Sequence, residues 1–243
     1  MSHVNEHYAP QEVIDYFARD PIINSELSEW LRFHDGVLVE GSSNGALVSD
    51  KAGRMFMVSA TDPDYGAHLL SLIPADIPVV PVCQEALIAP AKERFGFDGQ
   101  TPCYRLAYLK IEPIQYEKRL DIRPATMEQL DLIAANYHIG GKERVVRRIE
   151  NGQLWCGWLG DEFVGFIGRH DRGTLGMLHV FDRYRRQGYA HELESFLIND
   201  MLAKGELPRG DVIVGNEESL KLQKKLGFEV ADSLVYWLFH ERD

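Results

Sequence analysis

The chain has 243 residues, 45% of them hydrophobic, which is enough to bury a core in one large domain or two small ones. Its 26 Lys and Arg stand against 37 Asp and Glu; the net charge of -11 disfavours non-specific contact with nucleic acid or an anionic membrane surface, so any anionic ligand needs a local basic patch. Cys83, Cys103 and Cys156 are too few and too scattered for a disulfide framework or a zinc cluster, and the start carries no leader or membrane-length apolar run, so the chain reads as a complete cytoplasmic protein without metal.

In chain order, "GVLVEG", "GALVSD" and "RMFMVSATD" predict a three-strand meander, "YGAHLLSLI" a helix and "IPVVPVC" a strand. "EALIAPAKERFGF" predicts a helix closed by Gly-Phe, followed by a strand containing Tyr104, and "LKIEPIQYEKRLDI" reads as a link. From Leu120 the pattern sharpens. "LDIRPAT" is a strand, "MEQLDLIAANY" a helix with Leu130, Ile133 and Ala134 at helical spacing, and "GGKERVVRRIENG" a second short helix. "QLWCGWLG", "EFVGFIGRH" and "TLGMLHVFD" form another meander with tight turns at Gly160-Asp161 and Asp171-Arg172-Gly173. A long helix runs from "RRQGYAHELESFL" to about Lys204. "RGDVIVGN" is then a strand, "EESLKLQKKLGF" a helix ended by Gly227, and "SLVYWLFH" a last strand.

The two halves repeat one plan. Glu85 to Phe97 aligns without a gap on Asn216 to Phe228, and a Tyr-containing strand follows each. This divides the chain into a degenerate first lobe over residues 1–118 and a second lobe over 119–243.

The segment "RRQGYAHELESFL" gathers positive charge at a helix start on an acidic chain. A Gly turn feeding a helix leaves its first backbone N–H groups unpaired beside the positive end of the helix dipole, and Gly188 lets a phosphate approach where a Cβ would collide. Arg183, Arg185 and Arg186 outweigh Asp182 there. The pattern Gly-x-x-x-x-Gly-Lys-Ser/Thr is absent, and no Gly-x-Gly-x-x-Gly follows a strand, which disfavours a nucleoside triphosphatase or a dinucleotide dehydrogenase. A solvated basic helix cap would carry the same residues, and locally both readings stand.

Leu178, Val180, Asp182 and "RRQGYA" resemble the motif by which the GNAT superfamily of coenzyme A-dependent N-acyltransferases joins its fourth strand to its third helix. "NEESLKLQKKLGF" is similar to the later Asn-x-x-Ser and Lys-Leu-Gly-Phe motif, and the tandem arrangement resembles the glycine N-acyltransferase-like branch. The resemblance covers Leu120 to Asp243. It implies a mixed α/β fold with a largely antiparallel central sheet and flanking helices, in two tandem lobes. It also implies acetyl-CoA, or another acyl-CoA, as co-substrate. The amides of Arg186, Gln187, Gly188, Tyr189, Ala190 and His191, with Arg185 nearby, would hold the pyrophosphate. The main chain at Leu178, His179 and Val180 would pair with the pantetheine arm, one amide there polarising the acyl carbonyl. Asn216 and Ser219 would lie near that arm; helix capping accounts for them equally well.

The sequence departs from the family where acid–base chemistry is expected. Thr174 aligns with the usual glutamate, subject to a slip of two residues if "GTLG" forms a bulge, and Gln223 aligns with the usual tyrosine. His179 is the nearest strand residue able to act as a base at neutral pH, although a packing role suits it too. Tyr137 and His138 sit where the fold builds its acceptor pocket. The implied activity is N-acyl transfer, most simply of acetyl, from coenzyme A to a primary amine on a small or amino-acid-like acceptor. The missing acid and base keep a non-catalytic acyl-CoA sensor open as the alternative. No nucleic acid or membrane partner is expected, and a homodimer is left open.

Overall fold

The computed structural model of the chain describes residues 8–137 and 141–241. Its elements in order are α1 (Gln11–Arg19), α2 (Ser25–Phe33), β1 (Gly36–Ser42), β2 (Gly45–Asp50), β3 (Phe56–Ala60), α3 (Pro63–Ser71), β4 (Val79–Val82), α4 (Ile88–Phe95) and β5 (Gly99–Ala107). The second half adds β6 (Asp121–Pro124), α5 (Leu130–Asn136), α6 (Gly141–Glu150), β7 (Leu154–Leu159), β8 (Glu162–Arg169), β9 (Leu175–Val180), α7 (Tyr189–Ala203), β10 (Arg209–Ile213), α8 (Glu217–Leu226) and β11 (Glu229–Phe239). This is the mixed α/β fold that the sequence implies, and from β6 onward the order of elements is the expected one. Among the described residues no helix is long and apolar enough to cross a membrane.

The chain divides into two compact units, Met1–Leu109 with Arg209–Asp243, and Lys110–Pro208. The first is built on a seven-stranded sheet ordered β1-β2-β3-β4-β11-β5-β10, in which only β3 and β4 run parallel. Both faces are covered. Leu47, Val58, Leu69, Leu70, Val80 and Leu87 pack on the side of α3 and α4, while Val48 and Met57 pack with Val13, Tyr16, Leu27 and Trp30 of α1 and α2. Two-sided cover explains why β2 and β3 read as near-continuous apolar runs rather than as alternating ones.

The sequence reading places no element before Gly36, and the structure has two helices there. Each is nine residues long and neither has a capping side chain at its start, so the usual boundary signal is missing.

The repeated segment is visible in the backbone. Both α4 and α8 end at a left-handed glycine, Gly96 with φ 72° and Gly227 with φ 96°, and each leads into a central strand. If Gly96 corresponds to Gly227, then Cys103 corresponds to Leu234 and Tyr104 to Val235. The observed antiparallel pairs are Cys103↔Val235 and Tyr104↔Leu234, so the repeat exchanges one pair with the other and β5 meets β11 about a local two-fold axis.

A buried ion cluster fastens α2 to this sheet. Arg105, 1% exposed, holds Asp211, its register partner on β10, through Nε at 2.8 Å and Nη2 at 2.9 Å, and holds Glu26 through Nη2 at 2.8 Å. Cys83 and Cys103 are buried beside it and Cys156 lies in the second unit; burial pushes all three thiols up to about 12, so they stay protonated and unreactive.

The second unit carries the antiparallel sheet β6-β7-β8-β9. Ala125, Leu130, Ile133, Val145, Leu154, Cys156, Phe166 and Met177 form its core with α5 and α6. On α7, Leu193 approaches so closely that a Cβ at Gly157 would lie 2.9 Å from its Cδ2.

Candidate functional site

β9 ends its sheet, bonded along one edge to β8 and leaving the other edge to carry no strand of that sheet. Phe166 pairs with His179 and Gly168 with Gly176, so Met177 and Leu178 together oppose Ile167. That is a β-bulge, and Met177 takes a left-handed φ of 54° to make it. A non-glycine residue pays about 1 kcal/mol or more for that conformation. The bulge therefore lies at Met177–Leu178, not in "GTLG", where Leu175 and Gly176 pair regularly with Arg169 and Gly168. Bulges of this kind re-aim backbone groups out of the ladder.

Beyond Val180 a single 3-10 turn, Asp182–Tyr184, leads into α7. Arg186 with φ 62° and Gly188 with φ 90° flank Gln187, an alternation of backbone handedness of the kind that forms anion-binding nests. Gly188 is the N-cap and no side chain bonds the helix start. The first intrahelical bond of the turn runs from Glu192 N–H to the Gly188 carbonyl at 3.1 Å, which leaves the amides of Tyr189 and Ala190 ahead of it without helical partners. A helix start of this kind can hold an anion.

The charges around it have separate tasks. Arg185 donates to the Val180 carbonyl at 3.1 Å and pairs with Asp182 at 3.2 Å, which ties the end of β9 to the turn. Arg183 lies 3.7 Å from Glu162. Arg186 is exposed on the loop. A further cation, which the sequence reading does not single out, comes from the link: Arg119 donates to the Gln187 carbonyl at 2.8 Å and stacks over the Tyr189 ring at 4.5 Å. The backbone amides of Arg119 and Leu120 both donate to Glu192 Oε1 at 2.7 Å, so the carboxylate of the first α7 turn is spent on anchoring the link. Only tertiary contact brings Arg119 here, since nothing local to it resembles the loop motif.

The other expected residues fall as follows. Leu178, His179 and Val180 lie on β9 at and beyond the bulge, continuous with the loop. His179 stacks on Phe166 at 5.3 Å and meets Phe181 edge-on at 5.1 Å; burial, then Arg185, lowers its pKa. Asn216 caps α8, its Oδ1 accepting from Ser219 N–H at 3.2 Å, and both belong to the other compact unit. Thr174 is buried and its carbonyl accepts from His170 N–H at 2.9 Å. Gln223 is buried in α8. Tyr137 ends α5, half-buried, with burial raising its phenol pKa; His138 lies outside the described residues.

A second imidazole, also missed from sequence, stands against β9. The ring of His170 covers Gly176, where a Cβ would fall 2.1 Å from Nε2. Burial and then Arg148, Arg172 and Arg144 push its pKa down to about 4, so it is neutral at pH 7.

The family model described as FR47-like protein matches residues 159–238. Among curated proteins none matches the chain. Similar solved structures include a Drosophila protein (TM-score 0.62, 16% identity, covering 97% of this chain and 90% of that one). They also include a GNAT-family acetyltransferase from Colwellia psychrerythraea (TM-score 0.52, 16% identity, 84% and 85%) and a GCN5-related N-acetyltransferase from Kribbella flavida (TM-score 0.53, 11% identity, 92% and 95%). At these identities the likeness is one of fold.

Proposed function

From a chain that has the GNAT acetyltransferase fold and an FR47-like segment over residues 159–238, we propose an acyl-CoA-dependent N-acyltransferase that acts in the cytoplasm on a small amine. The observation that carries this reading is the uncapped start of α7, with left-handed Arg186 and Gly188, placed directly after a bulged strand with an open edge. Acetyl-CoA, the simplest donor, would supply an activated acyl group: transfer forms a C–N bond, breaks the C–S bond, and leaves the amine's proton on the departing thiol.

The chain's own residues bind and polarise. The amides from Arg186 to His191 hold the pyrophosphate, aided by Arg119 and Arg186, since anions are favoured where unpaired N–H groups meet the helix dipole. The free edge of β9 at Leu178–Val180 takes the pantetheine amides as an added strand. An N–H turned outward at the bulge then faces the charge that gathers on the acyl oxygen. His179 is one candidate to accept the amine's proton, and its stacking between Phe166 and Phe181 limits it to a modest contribution. Asn216 and Ser219 serve first as a helix cap. In the same reading residues 1–118 are a lobe that has lost its donor site and 119–243 the lobe that works.

Thr174 and Gln223, standing where a base and an acid are usual, favour one other reading, a non-catalytic acyl-CoA sensor. Calorimetry with acetyl-CoA, longer acyl-CoAs and free CoA, followed by an amine panel with thiol detection, separates the two. Binding with steady thiol release supports transfer. Binding without release supports the sensor, and absence of binding overturns both.

A further inference from the structure

We propose that the first compact unit binds a small zwitterion, of the class of free α-amino acids, in a pocket beyond the carboxyl ends of β3 and β4. The proposal is independent of the acyl-transfer reading, because every residue that lines the pocket belongs to that unit.

β3 and β4 are parallel neighbours that share one register pair, Val58↔Val82, and a bond from Cys83 N–H to the Val58 carbonyl. Past that point a side chain replaces the ladder: Gln84 Oε1 accepts from Ala60 N–H at 2.8 Å, and Gln84 Nε2 donates to Ser59 Oγ at 3.1 Å. Open sheets lodge ligands in the crevice outside the carboxyl ends of such strands. Here the crevice is a pocket of about 210 Å³, lined also by the α1–α2 connection and by Ser233 of β11. That is below the ~300 Å³ at which sites for drug-sized ligands begin, so the occupant has few heavy atoms.

The floor of the pocket is polar and neutral. Ser59 Oγ donates to Asn24 Oδ1 at 2.6 Å, so in its contact with the Tyr16 hydroxyl at 2.8 Å the phenol is the donor. Burial pushes that phenol up to about 12, which keeps its proton in place. Asn24 is 2% exposed and lines the pocket; with Oδ1 engaged, its amide N–H groups have no acceptor among the described residues, and they call for an oxygen on the ligand. The rim adds one charge of each sign. Arg19 donates through Nη1 to the Ser43 carbonyl at 2.8 Å and keeps Nε and Nη2 for a ligand, while Asp20 accepts from Ile23 N–H on Oδ1 at 3.0 Å and keeps Oδ2. A carboxylate set against Asn24 and Arg19, with an ammonium against Asp20, matches donors and acceptor alike. A ligand of a single charge would meet one rim residue of its own sign.

The test is calorimetry on the full chain without acyl-CoA. The probes are glycine, L-alanine and L-serine, then glycinamide, which lacks the carboxylate, N-acetylglycine, which lacks the ammonium, and glycerol, which lacks both. At least one free amino acid should bind with a Kd of about 1 mM or tighter, and its two singly charged counterparts at least tenfold more weakly, since each loses a charged hydrogen bond. Arg19→Gln and Asp20→Asn, at solvent-reached rim positions, should each weaken the amino acid about tenfold. Ser233→Trp, at an exposed position, should fill the pocket and remove binding, with the melting temperature kept in all three variants. Absence of amino-acid binding at about 10 mM overturns the proposal. Equal binding of glycinamide, N-acetylglycine or glycerol overturns the zwitterion, and unchanged binding in the three folded variants places the amino acid elsewhere and overturns the site.

Discussion

The chain passes from a strand into a helix at two corresponding places, and it treats the exposed amides oppositely. After β3, Asp62 caps α3 by accepting from Tyr65 N–H at 2.8 Å, Pro63 removes another N–H, and Asp64 adds negative charge to the first turn. After β9, glycine stands at the cap and supplies no capping side chain; the nearby cations are Arg119, Arg185 and Arg186, and of the nearby carboxylates Asp182 pairs with Arg185 while the first-turn Glu192 takes the link amides of Arg119 and Leu120. The strands differ in the same sense. β3 is closed onto β4 by the pair Val58↔Val82 and by Cys83 N–H to the Val58 carbonyl at 2.9 Å, whereas β9 ends its sheet. One junction answers its helix start with its own carboxylate, and the other has no capping side chain of its own.

The strongest way to break this contrast is Gly188→Val. The branched side chain would enter the phosphate space and would have to adopt a φ of 90°, with its Cβ 3.0 Å from Arg119 Nη2. Loss of two charged-group hydrogen bonds, each worth about 1.5 kcal/mol or more, should weaken acetyl-CoA binding by roughly 100-fold or more, measured by calorimetry. The fold should survive, with a stability loss of about 1–2 kcal/mol from the strained backbone. Unchanged affinity in a well-folded variant would end the anion-cradle reading.

Arg119→Gln should be milder. It removes a partly exposed cation whose contact is worth about 1 kcal/mol, so affinity should fall roughly fivefold to tenfold, and more at low salt than at high salt. A salt-independent effect would mean that Arg119 acts only by bracing Gln187.

Gln223→Ala should lower kcat by less than about tenfold, because a thiol with a pKa near ~8.5 leaves without much help from an acid, and an amide does not titrate. Loss of a true general acid typically costs ~10² to 10⁴. A drop of several hundredfold at unchanged acetyl-CoA affinity would assign this residue a proton relay.

Asp62→Ala addresses the other side of the contrast. It should cost about 1 kcal/mol of stability through the lost cap while acetyl-CoA affinity stays the same. Binding should remain at one acetyl-CoA per chain before and after the substitution. A second site of similar affinity in the unaltered protein would show that the first junction is no less receptive than the second.

The second half was legible because its signals are local. Gly227 closing α8, Gly160-Asp161 turning β7 into β8, and the arginines around Gly188 each act on neighbours in sequence. The first two helices went unread although Val13, Tyr16 and Phe17 stand at helical spacing in α1; the missing signal was the boundary, since Pro10 and Asn24 offer no capping bond. His170 and Arg148 escaped notice for another reason. Their chemistry comes from meeting Gly176 and Asp171 across a hairpin and a helix, and alone each is an ordinary polar residue.

By itself the sequence determined the succession of elements from β1 onward, the repeated helix-Gly-Phe-strand segment, and the glycine turn at the start of α7, since each is dictated by backbone conformation and spacing over a few residues. Tertiary structure alone decided that β11 lies between β4 and β5, that Arg105 is buried between Glu26 and Asp211, that Arg119 reaches the loop at Gln187, and that the bulge sits at Met177. Those outcomes depend on which distant groups satisfy one another once water is excluded, and no local pattern records that choice.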